Sequence, residues 1–150
     1  MNNGLHAENT DKFLYKELSY KIIGCCMKIH GEYGPHHNER IYHKLIEEVF
    51  IKQKIEFISK PKISVYSRES GKEIGCYYPD FLIDNLVILE LKANPMLLKR
   101  DEIQLSEYLK IGSYEVAYLV NFGTPKLYFK RIIFTNDRKN FLSFPKSKSV

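Results

Sequence analysis

Three residues of this chain have types and spacing that could do chemistry together. Asp80 lies in Tyr78-Pro79-Asp80-Phe81-Leu82, and Glu90 and Lys92 lie in Leu89-Glu90-Leu91-Lys92. Side chains alternate across a strand, so Val87, Leu89 and Leu91 take one face while Ile88, Glu90 and Lys92 share the other. An acid and a base set among such apolar neighbours are expensive to bury unless they pair or meet a metal. Taken alone, the Glu-x-Lys spacing is equally explained by an exposed salt pair at a strand edge. Asp80 adds weight because it stands on the other arm of a predicted hairpin, where facing residues share a side of the sheet. Register then decides. A two-residue turn at Asp84-Asn85 pairs Asp80 with Leu89 and sends Glu90 to the opposite face. A three-residue loop, Asp84 to Leu86, pairs Ile83 with Val87 and Asp80 with Glu90. Pro79 cannot donate to a ladder, so a kink or bulge is expected beside it. If the carboxylates converge, two hard oxygen donors make a site for Mg2+ or Mn2+.

The elements that must position these residues follow from the periodicity. Leu14, Leu18, Ile22, Cys25, Cys26 and Ile29 recur at three- and four-residue steps, predicting an amphipathic helix from 11 to about 30. Gly31 to Pro35 stops it. Asn38 is suited to cap a second helix running through Ile41, Leu45 and Val49 to about Gln53. Short β-branched and aromatic segments predict strands at 55–58, 63–66, 74–82 and 87–91, with turns at Ser70-Gly71 and Asp84-Asn85. Asn94-Pro95 ends the last of them, 98–111 has helical character up to Gly112, and strands are predicted at 115–121 and 127–134, joined across Gly123-Thr124-Pro125. This order predicts an α/β or α+β domain with a mixed sheet. The expected organisation is a flexible N-terminus over 1–10, one domain over 11–135 and a basic tail over 136–150, where Phe141, Leu142 and Phe144 are placed to dock on the body.

Composition bounds the rest. The chain has 150 residues, 44% hydrophobic and 27% charged, which suits one soluble domain with a real core. The formal net charge is +5. Arg138, Lys139, Lys146 and Lys148 against Asp137 give the tail +3, so the other residues carry only +2. A basic tail can hold a phosphate backbone or merely aid solubility, so charge alone does not choose a partner. Cys25, Cys26 and Cys76 have no paired spacing and fit small buried residues in a reducing compartment. No signal peptide or membrane-length apolar run is visible, and the expected location is cytoplasmic. Walker A, G-x-S-x-G and dinucleotide fingerprints are absent from the sequence.

Pro79-Asp80 with Glu90-Leu91-Lys92 resembles the signature of the PD-(D/E)XK nucleases, whose fold is that of the restriction endonucleases. Gly34-Pro35-His36-His37-Asn38-Glu39-Arg40-Ile41-Tyr42 looks like the motif of the GxxExxY family, a branch of that superfamily. The helix Glu102-Ile103-Gln104-Leu105-Ser106-Glu107-Tyr108-Leu109 and the strand Leu119-Val120-Asn121-Phe122-Gly123 add to the match, which runs from about Leu18 to Phe134. The resemblance implies an α/β restriction-endonuclease-like core, a central mixed sheet flanked by helices. It implies metal ligands Asp80 and Glu90, with Glu39 as an acidic helper from the second helix. Lys92 would orient and help deprotonate the attacking water or stabilise charge on the phosphate, and Gln104 is similar to the glutamine that often follows the core motif. The implied activity is Mg2+- or Mn2+-assisted hydrolysis of nucleic-acid phosphodiesters, with DNA as the expected substrate. Enzymes of this fold often cut two strands as dimers, so a homodimer is a further expectation.

Each residue also has a plainer explanation. Glu39 gains from the dipole at a helix start, Gln104 fits any half-exposed helix, and Tyr42 and Tyr108 fit a core. His36 and His37 lie in a loop without the further ligands zinc would need. The rival function is a binding or assembly module that keeps the nuclease fold without efficient catalysis.

Overall fold

The computed structural model describes residues 14–139. Helix α1, Lys16–Tyr33, buries Ile22, Cys25, Cys26 and Ile29, the stripe expected from the periodicity. It ends at Gly34, whose φ of 74° is a left-handed turn that costs glycine little. Helix α2, Glu39–Lys52, starts where the Asn38 side chain accepts from the Ile41 N–H at 3.1 Å. Its buried stripe is Tyr42, His43, Ile46 and Phe50.

Seven strands follow: β1 Phe57–Ser59, β2 Ile63–Tyr66, β3 Glu73–Tyr77, β4 Phe81–Ile83, β5 Val87–Lys92, β6 Val116–Asn121 and β7 Tyr128–Ile133. Helix α3, Lys99–Ile111, connects β5 to β6. The main sheet has the order β1-β4-β5-β6-β7, parallel between β5 and β6 and antiparallel elsewhere, while β2 and β3 form a separate ribbon. Helices α1 and α2 cover the face that carries Phe81, Ile83, Val87, Leu89 and Leu91. The other face, with Leu82, Ile88 and Leu119, is covered by Leu105 and Leu109 of α3 and by Ile63 and Tyr77 of the ribbon. Tyr77 stacks on Tyr108 with ring centroids 3.8 Å apart, so Tyr108 is indeed a packing residue.

Two strand expectations are corrected. The single strand predicted over 74–82 is two strands in different sheets, because Pro79 has no N–H to continue a ladder and the chain bends across Tyr78, Pro79 and Asp80. The strand predicted over 55–58 begins later, at Phe57, where pairing with Ile83 starts. Residues 1–13 and 140–150, with the expected flexible start and most of the basic tail, lie outside the described residues. No helix among the described residues is long and apolar enough to cross a membrane.

Candidate functional site

The loop between β4 and β5 sets the site. Ile83 pairs with Val87, Leu82 with Ile88 and Phe81 with Leu89, which is the three-residue alternative. Asp84 and Asn85 supply it with φ values of 50° and 55°, and the Leu86 N–H donates to Ile83 at 2.9 Å. Asn and Asp tolerate that left-handed backbone better than other side-chain-bearing residues. The register puts Asp80, in the bend just before β4, level with Glu90 on the same side of the sheet. Their carboxyl groups stand close enough to shift each other's protonation.

Asp80 is 1% exposed and has further partners on every side. The Leu91 N–H donates to its Oδ2 at 2.8 Å, while the Lys60 ammonium at 2.7 Å and His43 Nδ1 at 3.2 Å both reach its Oδ1. A carboxylate only accepts, which assigns the His43 proton to Nδ1. Nε2 of the same ring lies 2.8 Å from Ser59 Oγ and 3.0 Å from Glu47 Oε1, and the ring stacks on Phe81 with centroids 4.2 Å apart.

Two carboxyls in contact cannot both ionise cheaply. Burial first, then the hydrogen bond and the negative charge of Asp80, push Glu90 up to about 9, against a smaller opposing pull from Lys92. Burial opposes ionisation of Asp80 as well, yet its hydrogen bonds from Glu90, Lys60 and Leu91 outweigh that and hold it below the usual carboxylate range. The pair therefore shares one proton, held on Glu90.

Glu39, in the first turn of α2, faces this pair. Burial and the charge of Asp80 raise its carboxyl, and Lys92 and Lys60 pull it down. Lys92 Nζ stands 4.0 Å from Asp101 Oδ1 on α3. The chain leaving Lys92 is fastened from β6. Asn121, level with Lys92 in the parallel pair, accepts from the N–H groups of Asn94 and Gly123 and donates to the Asn94 carbonyl, each at 3.0 Å. Gly123 permits this close approach, since a Cβ there would stand 2.3 Å from the Asn94 oxygen.

The structure thus brings Asp80, Glu90, Lys92 and Glu39 together. It does not bring Gln104 in: that residue is exposed on α3, and among the described residues it has no hydrogen bond to the acidic group. Tyr42 belongs to the packing, stacking on Phe122 at 4.4 Å and donating from its hydroxyl to the Gly34 carbonyl. Lys60, His43 and Asp101 were not foreseen. For Lys60 the sequence holds no local signal, because β1 meets Asp80 only through sheet pairing. For His43 a signal existed: Glu39, His43 and Glu47 recur every four residues along one helix stripe.

The donors suit a hard divalent cation. Among the described residues no group of three or more His, Cys, Asp or Glu is gathered to enclose a metal ion. Mg2+, however, keeps several waters and is commonly held by one or two carboxylates together with substrate phosphates. Asp80 and Glu90 meet that smaller requirement, and a cation there would relieve the repulsion that now keeps a proton on Glu90.

The family model of the PD-(D/E)XK nuclease superfamily matches residues 16–132, and the chain belongs to that superfamily. Its five-stranded mixed sheet between helical layers is the α/β core expected of such a member. A solved structure described as "Crystal structure of SSO0001" is similar at 21% identity and a TM-score of 0.48, over 87% of this chain and 62% of that one. The chain thus spans less than two thirds of that protein's length. No curated protein matches significantly.

Proposed function

We propose that this member of the PD-(D/E)XK nuclease superfamily is a metal-dependent nuclease that hydrolyses phosphodiester bonds of nucleic acid, with DNA as its substrate, and that it falls in the GxxExxY branch. One observation supports the reading above others: the register of β4 against β5 sets Asp80 level with Glu90 on one side of the sheet, with Lys92 and Glu39 beside them. In this proposal Asp80 and Glu90 hold Mg2+ or Mn2+, with Glu39 assisting from α2. The bound ion would supply Lewis acidity toward the phosphate and a more acidic water. Lys92 orients the attacking water and offsets charge gathering on the phosphate, a task suited to a compact ammonium. Asp101 steadies that ammonium from across the cleft, and Gln104 remains a candidate for contact with the bound nucleic acid. The enzyme acts in the cytoplasm, as a homodimer where both strands are cut.

The rival, a binding or assembly module without efficient turnover, is favoured by one feature: protein groups already occupy Asp80 on all sides. A titration of Mg2+ and Mn2+ against single- and double-stranded DNA and RNA separates the two. The nuclease reading expects divalent-dependent cleavage that Lys92→Ala reduces by roughly 10²–10³-fold while leaving metal affinity intact. Asp80→Asn instead weakens metal binding and is partly rescued by Mn2+. Binding to nucleic acid with no divalent-dependent cleavage of any substrate would hand the reading to the module.

A further inference from the structure

Lys60 has a rooted backbone and a free arm. Its φ is 52°, and its N–H donates to the Asp80 carbonyl at 2.8 Å, which fixes the main chain. Its side chain is nevertheless 59% exposed, with the ammonium 2.7 Å from Asp80 Oδ1 and facing the carboxyl groups of Glu90 and Glu39. A carboxylate has about four acceptor positions. Those of Asp80 are met by Lys60, His43, the Leu91 N–H and Glu90. The Leu91 N–H is main chain of β5, His43 is buried between Ser59 and Glu47, and Glu90 is itself a candidate ligand. Of the four, Lys60 is the partner that can leave by rotating into water.

We propose that Lys60 is a tethered, displaceable counterion of this site. Its ammonium holds Asp80 while no divalent cation is bound, competes with the cation for that carboxylate, and once displaced pairs with a phosphate of the nucleic acid. The inference rests on the metal reading above. A cation on Asp80 repels the ammonium, but the tether keeps it within a side chain's length of the same place. A phosphate drawn to that cation then becomes its nearest anion.

The test uses the full chain as wild type, Lys60→Gln and Lys60→Arg, each with intact folding checked by circular dichroism. Calorimetric titration with Mn2+ alone should show Lys60→Gln binding about tenfold tighter and Lys60→Arg binding like wild type, a modest change because the arm is solvated. The same variants, each also carrying Lys92→Ala to block cleavage, are then bound to a duplex oligonucleotide in Mn2+ across a salt series. Lys60→Gln should bind more weakly, with a log–log salt slope shallower by about one. Equal Mn2+ affinity for wild type and Lys60→Gln overturns the counterion role and leaves the metal reading standing. Tighter Mn2+ binding with an unchanged salt slope overturns the phosphate contact. Absence of Mn2+ binding in every variant removes the metal reading, and the inference with it.

Discussion

Replacing Glu90 by Gln should make the metal-free protein more stable while destroying its metal site. The reason is the proton on Glu90. Its carboxyl, ordinarily near 4.5, is raised to about 9 in the folded chain. Between those values the folded state binds a proton that the unfolded state has released. Stability contributed by this group is therefore fully present below pH 4.5 and declines as pH rises toward 9. At pH 7 the interval from 4.5 corresponds to roughly 3 kcal/mol at about 1.4 kcal/mol per unit. Glutamine can donate to Asp80 as the protonated acid does, and it never has to take up a proton. Glu90→Gln should thus match wild type near pH 4.5 and exceed it by up to ~3 kcal/mol at pH 7. The corresponding rise in Tm is on the order of 6–12 °C for a domain of this size. Urea denaturation of both proteins at unit steps from pH 5 to 9, without divalent ions, measures the difference. Parallel pH profiles, or a variant less stable than wild type at pH 7, would refute the shared proton and show Glu90 ionised against Lys92.

Three further outcomes follow from the same geometry. Mn2+ binding at pH 7 should release close to one proton, since Glu90 must ionise to become a ligand, and affinity should rise about tenfold per pH unit between 6 and 8; calorimetry in buffers of different ionisation enthalpy reads both, and zero release would exclude Glu90 as a ligand. His43→Leu should cost roughly 1–3 kcal/mol, because Asp80 loses a buried donor, whereas His43→Asn, which can still reach Asp80, should recover part of that loss in urea denaturation. Gly123→Ala should destabilise by about 1–3 kcal/mol, since the added carbon meets main chain at Asn94 rather than a movable side chain; an unchanged midpoint would mean that this loop yields freely.

What the sequence disclosed was local. The cap at Asn38 and the alternation through β5 depend on neighbours within a few residues and stand where their residues place them, whereas α1 runs past Gly31 and ends only at Gly34. The register of β4 against β5 was narrowed to two alternatives but not chosen, since Asp84-Asn85 is compatible with both turn lengths. Tertiary packing makes the choice: Phe81, Ile83, Val87, Leu89 and Leu91 must all face α1 and α2 together, and only the three-residue loop allows it. The break at Pro79 was anticipated as a kink but not as a change of sheet. Whether a strand continues or departs depends on which partner its edge finds, and Lys60, just after β1, reaches Asp80 from twenty residues upstream. Lys60 was invisible for the same reason.

That bend also explains how one aspartate serves two sides of the molecule. Within β4, alternation would restrict Asp80 to the face of Leu82, near Glu90 and α3. By standing just outside the strand it escapes that restriction and meets His43 from α2 as well. Asp80 is thereby held by α2 as well as by β5, and the pair it forms with Glu90 is unequal: one carboxyl has a surplus of donors and stays ionised, while the other, beside that charge, keeps its proton. The asymmetry follows from hydrogen-bond supply. Adding a donor to Glu90 or removing one from Asp80 should narrow the gap between them, whereas a change confined to either apolar face should not.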